Sequence, residues 1–152
     1  MQERYNFSYF EAEYKSYLLA LNVKPVSIKN YLSDIRFFFT WLKSSFQTDT
    51  ISLSDLPHLL SQASILAFYD YLESFEGSRA TLNRRVSTIR SFLSFCVKQQ
   101  WIAENTAHLL DDQELLEQKQ KIVRTYIDSL KKNGRTDNLE HQKNLIINFI
   151  MS

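Results

Sequence analysis

The sequence predicts an all-α fold: four to five helices packed as one bundle, with two further helices behind them. Three observations carry that expectation. Apolar residues recur at the 3.6-residue spacing of amphipathic helices, alternating runs of β-branched residues are few, and the 152 residues include only two Gly and two Pro. Hydrophobic residues make up 44 % of the chain and aromatics 14 %, enough for a real core at single-domain length.

The first helix is expected over residues 5–21, where Phe7, Phe10, Tyr14, Tyr17, Leu18 and Leu21 share one stripe. It breaks before Pro25, because the residue preceding a proline is pushed out of the α region. Ser27 is the expected N-cap of a second helix running to about Phe46. Its apolar stripe is Ile28, Tyr31, Leu32, Ile35, Phe38, Phe39, Leu42 and Phe46. Residues 47–62 read as a polar connection with a short helical turn near Leu56 to Leu60. A third helix follows from about Ala63 to Phe75, with Ile65, Phe68, Tyr69 and Leu72 inward and Asp70, Glu73 and Glu76 outward; Gly77 is its expected terminator. The fourth helix, capped by Ser78 or Thr81, runs to about Gln100 and points Leu82, Val86, Ile89, Leu93 and Val97 inward. A short fifth helix is expected to end near Leu110. Further helices are expected over 113–132 and 138–150, the last with a greasy Leu-Ile-Ile-Asn-Phe-Ile run.

Charge is segregated along the chain. The formal total is only +1, yet residues 24–48 carry +3 and residues 77–100 carry +5, whereas residues 49–76 carry −5. Such segregation builds a one-sided field. Between Gly77 and Gln100 no Asp or Glu occurs, and the outer face of that helix sets Arg84 and Lys98 among Ser87, Ser91 and Ser94. The second helix repeats the pattern with Lys29, Ser33, Arg36, Thr40 and Ser44. Small side chains let a helix backbone approach a surface while arginines and lysines reach phosphates or base edges. A core helix with an incidentally basic surface is the other reading of the same residues.

Other chemistries find little support. The single Cys96 excludes an internal disulfide framework and a cysteine zinc cluster, and its place beside the apolar stripe suits a buried, inert thiol. Gly-rich phosphate loops, His-Glu-x-x-His and calcium-loop patterns are missing, and no cofactor, metal or small-molecule ligand is expected. The acidic run Asp111, Asp112, Glu114 reads as a helix start on a solvated surface. No apolar run reaches roughly 18 residues and no basic-then-apolar leader opens the chain, so the expectation is a soluble, cytoplasmic protein without membrane contact.

Two stretches carry a family resemblance. Ser27-x3-Tyr31-x2-Asp34-Ile35-Arg36-x-Phe38 resembles the first helix signature of the core-binding domain of tyrosine recombinases, the phage integrases and Xer-type resolvases. Thr81-Leu82-Asn83-Arg84-Arg85-Val86-Ser87-Thr88-Ile89-Arg90-Ser91-Phe92 is similar to the second. Trp101-Ile102-Ala103-Glu104-Asn105 resembles the exit from that domain, although Thr106 stands where the family usually has proline.

The resemblance implies a SAM-like core-binding bundle over residues 1–110 that forms half of a clamp around double-stranded DNA, without any cofactor. Ser27, Lys29, Asn30, Ser33 and Arg36 would face DNA from the first signature helix. Arg79, Thr81, Arg84, Arg85, Ser87 and Ser91 would do so from the second, mostly through phosphate and shape contacts. Asp34 and Arg90 have an alternative role as a pair across the bundle. Residues 111–152 would hold a linker and the first helices of the catalytic domain, stopping before its first catalytic arginine. The family chemistry needs a tyrosine nucleophile, two arginines, a lysine and a histidine at the scissile phosphate. None is assignable: His58, His108 and His141 lack the His-x-x-Arg pattern, and the eight tyrosines lie mostly in helix stripes. The chain is therefore expected to serve DNA recombination or integration without cutting DNA itself. Partners would be duplex DNA and, in the full-length protein, further recombinase subunits in a tetramer. Two rival readings stay open: a protein-interaction bundle using Phe37, Phe92 and Phe95, and a helix-turn-helix regulator.

Overall fold

The computed structural model describes residues 3–111 except Glu76, together with Glu117, Lys121 and Arg124. In chain order the elements are β1 (Tyr5–Asn6), α1 (Phe7–Ala20), α2 (Pro25–Phe46), β2 (Thr50–Ile51), α3 (Leu56–Leu59), α4 (Gln62–Ser74) and α5 (Arg79–Lys98). Short 3-10 turns occupy Leu53–Asp55 and Thr106–Asp111. The described chain is thus an all-α bundle, as its periodicity predicts.

Helix α2 is the strut. Ile28, Leu32, Ile35, Phe38, Phe39 and Leu42 of its expected stripe are buried, Tyr31 and Phe46 are half-buried at the margin, and Asp34, Trp41 and Ser45 are buried beside them. One stripe is not enough because α2 has neighbours on three sides. Phe39 meets Phe7 of α1 at 5.2 Å between ring centroids, while Phe38 and Trp41 meet Phe68 of α4 at 4.7 and 5.3 Å. On the third side Asp34 faces α5. Helix α5 likewise buries Phe92, Phe95 and Cys96 besides Val86, Ile89 and Leu93. Phe92 and Phe95, which the protein-binding reading reserved for a partner, sit 1 % exposed against Tyr14. Burial also pushes the Cys96 thiol pKa far above its ordinary value, so the sulfur stays protonated and inert.

Helix α2 starts two residues before the expected cap. Pro25 is its first residue and Lys24 its N-cap, leaving Ser27 inside the first turn. A proline fits there because its missing N–H lacks an intrahelical acceptor anyway and its φ is already helical. The expected glycine stop also differs. Phe75 ends α4 in an extended conformation and packs on Tyr71 and Phe37, so Gly77 is not called on for a left-handed turn. The left-handed turns fall instead to Asn22, Gln47 and Gln100, at φ of 59°, 52° and 61°, each just past a helix end. Leu21, expected inward, is exposed beyond the end of α1. The expected fifth helix is the 3-10 turn Thr106–Asp111. The antiparallel pairing of Tyr5 with Ile51 and Asn6 with Thr50 had no signal in the sequence, since two-residue strands are too short to show a period. Of the helix expected over 113–132, the described Glu117, Lys121 and Arg124 are helical; the rest of it, and the helix over 138–150, lie outside the described residues.

Truncating Phe92 to alanine should cost about 3–5 kcal/mol, measured by urea unfolding, because a fully buried ring would leave a cavity among the rings of Tyr14, Phe39 and Phe95. A second outcome concerns Tyr14, whose hydroxyl donates to Ser91 at 2.7 Å and whose pKa is raised chiefly by burial. The raised value means the unfolded chain gives up this proton first. Its contribution is therefore complete below about pH 10 and drains as pH climbs toward the folded value. Tyr14→Phe should cost about 1 kcal/mol at neutral pH and lose less further stability than wild type in alkaline unfolding titrations.

Candidate functional site

The two basic-and-small faces are solvent-facing. On α2, Lys29, Asn30, Ser33, Arg36, Thr40 and Ser44 are exposed; on α5, Arg79, Arg84, Ser87, Ser94 and Lys98 are exposed. Ser27, Thr81, Arg85 and Ser91 are half-buried. Helix α5 presents its face from a firm start, since the Ser78 hydroxyl accepts from the Thr81 backbone N–H at 3.1 Å.

A buried carboxylate joins the faces. Asp34 on α2 is 3 % exposed and accepts from Arg84 twice, Nε to Oδ2 at 3.1 Å and Nη2 to Oδ1 at 2.8 Å. Thr88, one turn further along α5, donates to the same Oδ2 at 2.9 Å. Arg85 Nε lies 3.9 Å from Oδ1, beyond hydrogen-bond length, and its guanidinium stacks 3.9 Å from the Phe37 ring centroid. The Arg84 pKa is raised by the hydrogen bond to Asp34 and by its charge, so this cation is permanent. Asp34 does pair across the bundle, but with Arg84 rather than with Arg90. The Arg90 carbonyl instead accepts from the Asn105 amide, which also donates to Ser94 and so ties the exit segment back to α5.

Several candidates are already engaged within the fold. Arg36 forks onto Glu11 of α1, with Nε to Oε1 at 2.5 Å, and this raises the arginine pKa. Ser91 accepts from Tyr14, Thr81 meets the Ser78 hydroxyl at 3.0 Å, and the Arg79 charge lies near the Tyr69 hydroxyl, whose rise in pKa it opposes. Lys29, Asn30, Ser33 and Ser87 stand on the exposed faces without such a contact described. Between α4 and α5 an open cleft of about 450 Å³ is lined by Phe75, Ser78, Arg79, Thr81 and Arg85 among others. The outward acids of α4 take a cation from beyond the bundle: Arg124 reaches Asp70 at 3.1 Å and Glu73 at 3.6 Å. Among the described residues no cluster of three His, Cys, Asp or Glu side chains could hold a metal ion, and no helix is long and apolar enough to cross a membrane.

Sequence reasoning missed Thr88 and the withdrawal of Arg85. Thr88 lay on neither stripe, and a threonine four residues after an arginine gives no hint of a shared carboxylate 50 or more residues away. The double arginine could have warned that adjacent helical positions diverge by about 100°, so one of them must leave the outer face.

What the fold and site define is a helical bundle with two basic, small-residue faces fastened by a buried acid. The family model described as "Phage integrase, N-terminal SAM-like domain" matches residues 12–100, and the chain belongs to that family. Two curated relatives carry the name tyrosine recombinase XerC. That of Chlamydia muridarum (strain MoPn / Nigg) is 34 % identical over 98 residues, covering 57 % of this chain and 31 % of the relative. That of Halalkalibacterium halodurans is 31 % identical over 86 residues, covering 55 % of this chain and 25 % of the relative. The matches thus span between a quarter and a third of these relatives' length. No solved structure matches the chain.

Asp34→Asn should cost about 1–2 kcal/mol in urea unfolding, since the buried carboxylate loses one arm of its fork and leaves Arg84 and Arg85 under-compensated. Arg36→Ala should cost below about 1 kcal/mol, because both partners of that pair are wetter.

Proposed function

We propose that this chain is the DNA-binding part of a site-specific tyrosine recombinase, holding duplex DNA as one side of a clamp for recombination or integration. The observation that carries this reading is the coincidence of α2 and α5. Both outer faces are basic and small, both lie within the matched family region, and Asp34 fastens one to the other. Residues 1–110 form the DNA-binding unit, and residues 111–152 the linker and opening of a catalytic domain. Lys29, Asn30, Ser33, Arg79, Arg84 and Ser87 form its exposed contacts. Ser27, Thr81, Arg85 and Ser91 support them from half-buried positions, and Arg36 joins through the part of its guanidinium that Glu11 leaves open. The protein works in the cytoplasm, on the same DNA as the other subunits of a tetramer. No bond is cut by these residues.

A protein-interaction surface is the second reading. Leu19, Leu21 and Val26, 55 %, 53 % and 66 % exposed at the α1–α2 turn, favour it.

Fluorescence anisotropy with a labelled duplex across a salt series separates the two. Engagement of roughly five phosphates should give a log–log slope of about −4 to −5, and Lys29→Ala should shrink it by about one unit. Negligible binding at low salt, or a slope unmoved by Lys29→Ala and Arg79→Ala together, would transfer the function to the apolar corner.

A further inference from the structure

Arg84 stands apart from the other cations of the two faces because a buried acid holds it from behind. Its side chain is 49 % exposed, whereas that of Asp34 is 2 % exposed. Asp34 takes the Nε–H and one N–H of Nη2, the side edge of the guanidinium. A guanidinium has five N–H donors, so both N–H groups of Nη1 and the second of Nη2 remain, forming a fork at the far end. The acid is itself held, by Thr88 at 2.9 Å and with Arg85 Nε at 3.9 Å. The direction of Arg84 is therefore set before any ligand arrives.

Its neighbours on α5 are short. Ala80 lies one turn before, and Ser87 and Ser91 lie one and two turns after. On α2 the residue beside Asp34 is the exposed Ser33. A long arginine rising from a strip of small residues lets the helix backbone sink close to a groove floor. Reaching a phosphate on the groove's rim needs no such strip. Charge argues the same way: the carboxylate at 2.8 Å offsets much of the attraction Arg84 would offer a phosphate, while the directional fork persists. A fixed fork with muted charge suits the paired acceptors O6 and N7 of guanine in the major groove.

We propose that Arg84 determines sequence specificity by donating two hydrogen bonds to a guanine edge, with Asp34 as its positioning residue. This rests on the DNA-binding reading above and sharpens it, since that reading expected phosphate and shape contacts from Arg84. Lys29 and Arg79 then supply sequence-independent grip, and Arg84 the selection.

The test is selection of bound duplexes from a randomised pool with the full chain, followed by salt series on one fixed random-sequence duplex. Wild type should enrich a motif with one guanine at a fixed position. Arg84→Lys, which keeps the charge and loses the planar fork, should lower the preference for that guanine about tenfold or more, with a salt slope within about half a unit of wild type. Asp34→Asn should lower the preference as far with a slope that does not fall, because it unmasks the Arg84 charge. An Ile65→Val variant, destabilised within the core of α4 away from the surface, should retain the motif, which separates positioning from lost stability. Should Asp34→Asn fail to fold, Arg84→Lys decides by itself. An unchanged motif in Arg84→Lys overturns the proposal. So does a slope that falls by about one unit in Arg84→Ala with the motif intact, the outcome for a phosphate contact. Wild type that binds DNA but enriches no motif overturns base reading and leaves DNA binding standing; failure to bind any duplex removes both.

Discussion

The arrangement of this bundle depends on the need to satisfy one buried negative charge. A carboxylate as enclosed as Asp34 is tolerated only when hydrogen-bonded and paired, and each of its partners lies on α5. The apolar stripes of α2 and α5 would pack in several registers, since hydrophobic contact is non-directional. A bidentate fork together with a threonine hydroxyl is not forgiving in that way. Sliding α5 by one turn would bring Ala80 or Thr88 to the place of Arg84 and strand the acid. The pairing thus stabilises modestly by itself, yet fixes how the outer faces lie relative to each other.

The aromatic core supports the same end. Tyr14 of α1 is buried among Phe92 and Phe95 while its hydroxyl reaches Ser91 at the margin of the basic face. Phe37 leaves the α2 stripe to pack against Phe68, Tyr71 and Phe75, and its other side carries the Arg85 guanidinium. Large rings fill the space among three helices with few rotatable bonds, so side chains at the rim inherit fixed positions. Arg85 accordingly belongs more to the packing than to the surface, and Arg84 more to the surface than to the packing, although they are adjacent in sequence.

Engagement is uneven across the basic faces. Arg36 is committed to Glu11 and Arg84 to Asp34, while Lys29 projects from the same helix as Arg36 without a described ion pair. Long cations held by acids keep their direction and lose part of their long-range field; an unheld lysine does the reverse. A DNA-binding surface benefits from both kinds, one for register and one for grip.

By itself the sequence determined the helices, their inward stripes and the basic character of the outer faces. These follow from a periodicity of 3.6 residues and from local charge, which a reader of the chain can count. It also carried the two signatures that match the family. Tertiary structure decided the rest: that Asp34 pairs with Arg84 rather than Arg90, that Arg85 turns onto Phe37, that Phe92 and Phe95 are core, and that Tyr5–Asn6 pairs with Thr50–Ile51. Each of these joins residues 44 or more positions apart or depends on how two helices cross. Crossing angle and register are set when all the stripes pack together, and no local pattern records which long side chain then meets which acid.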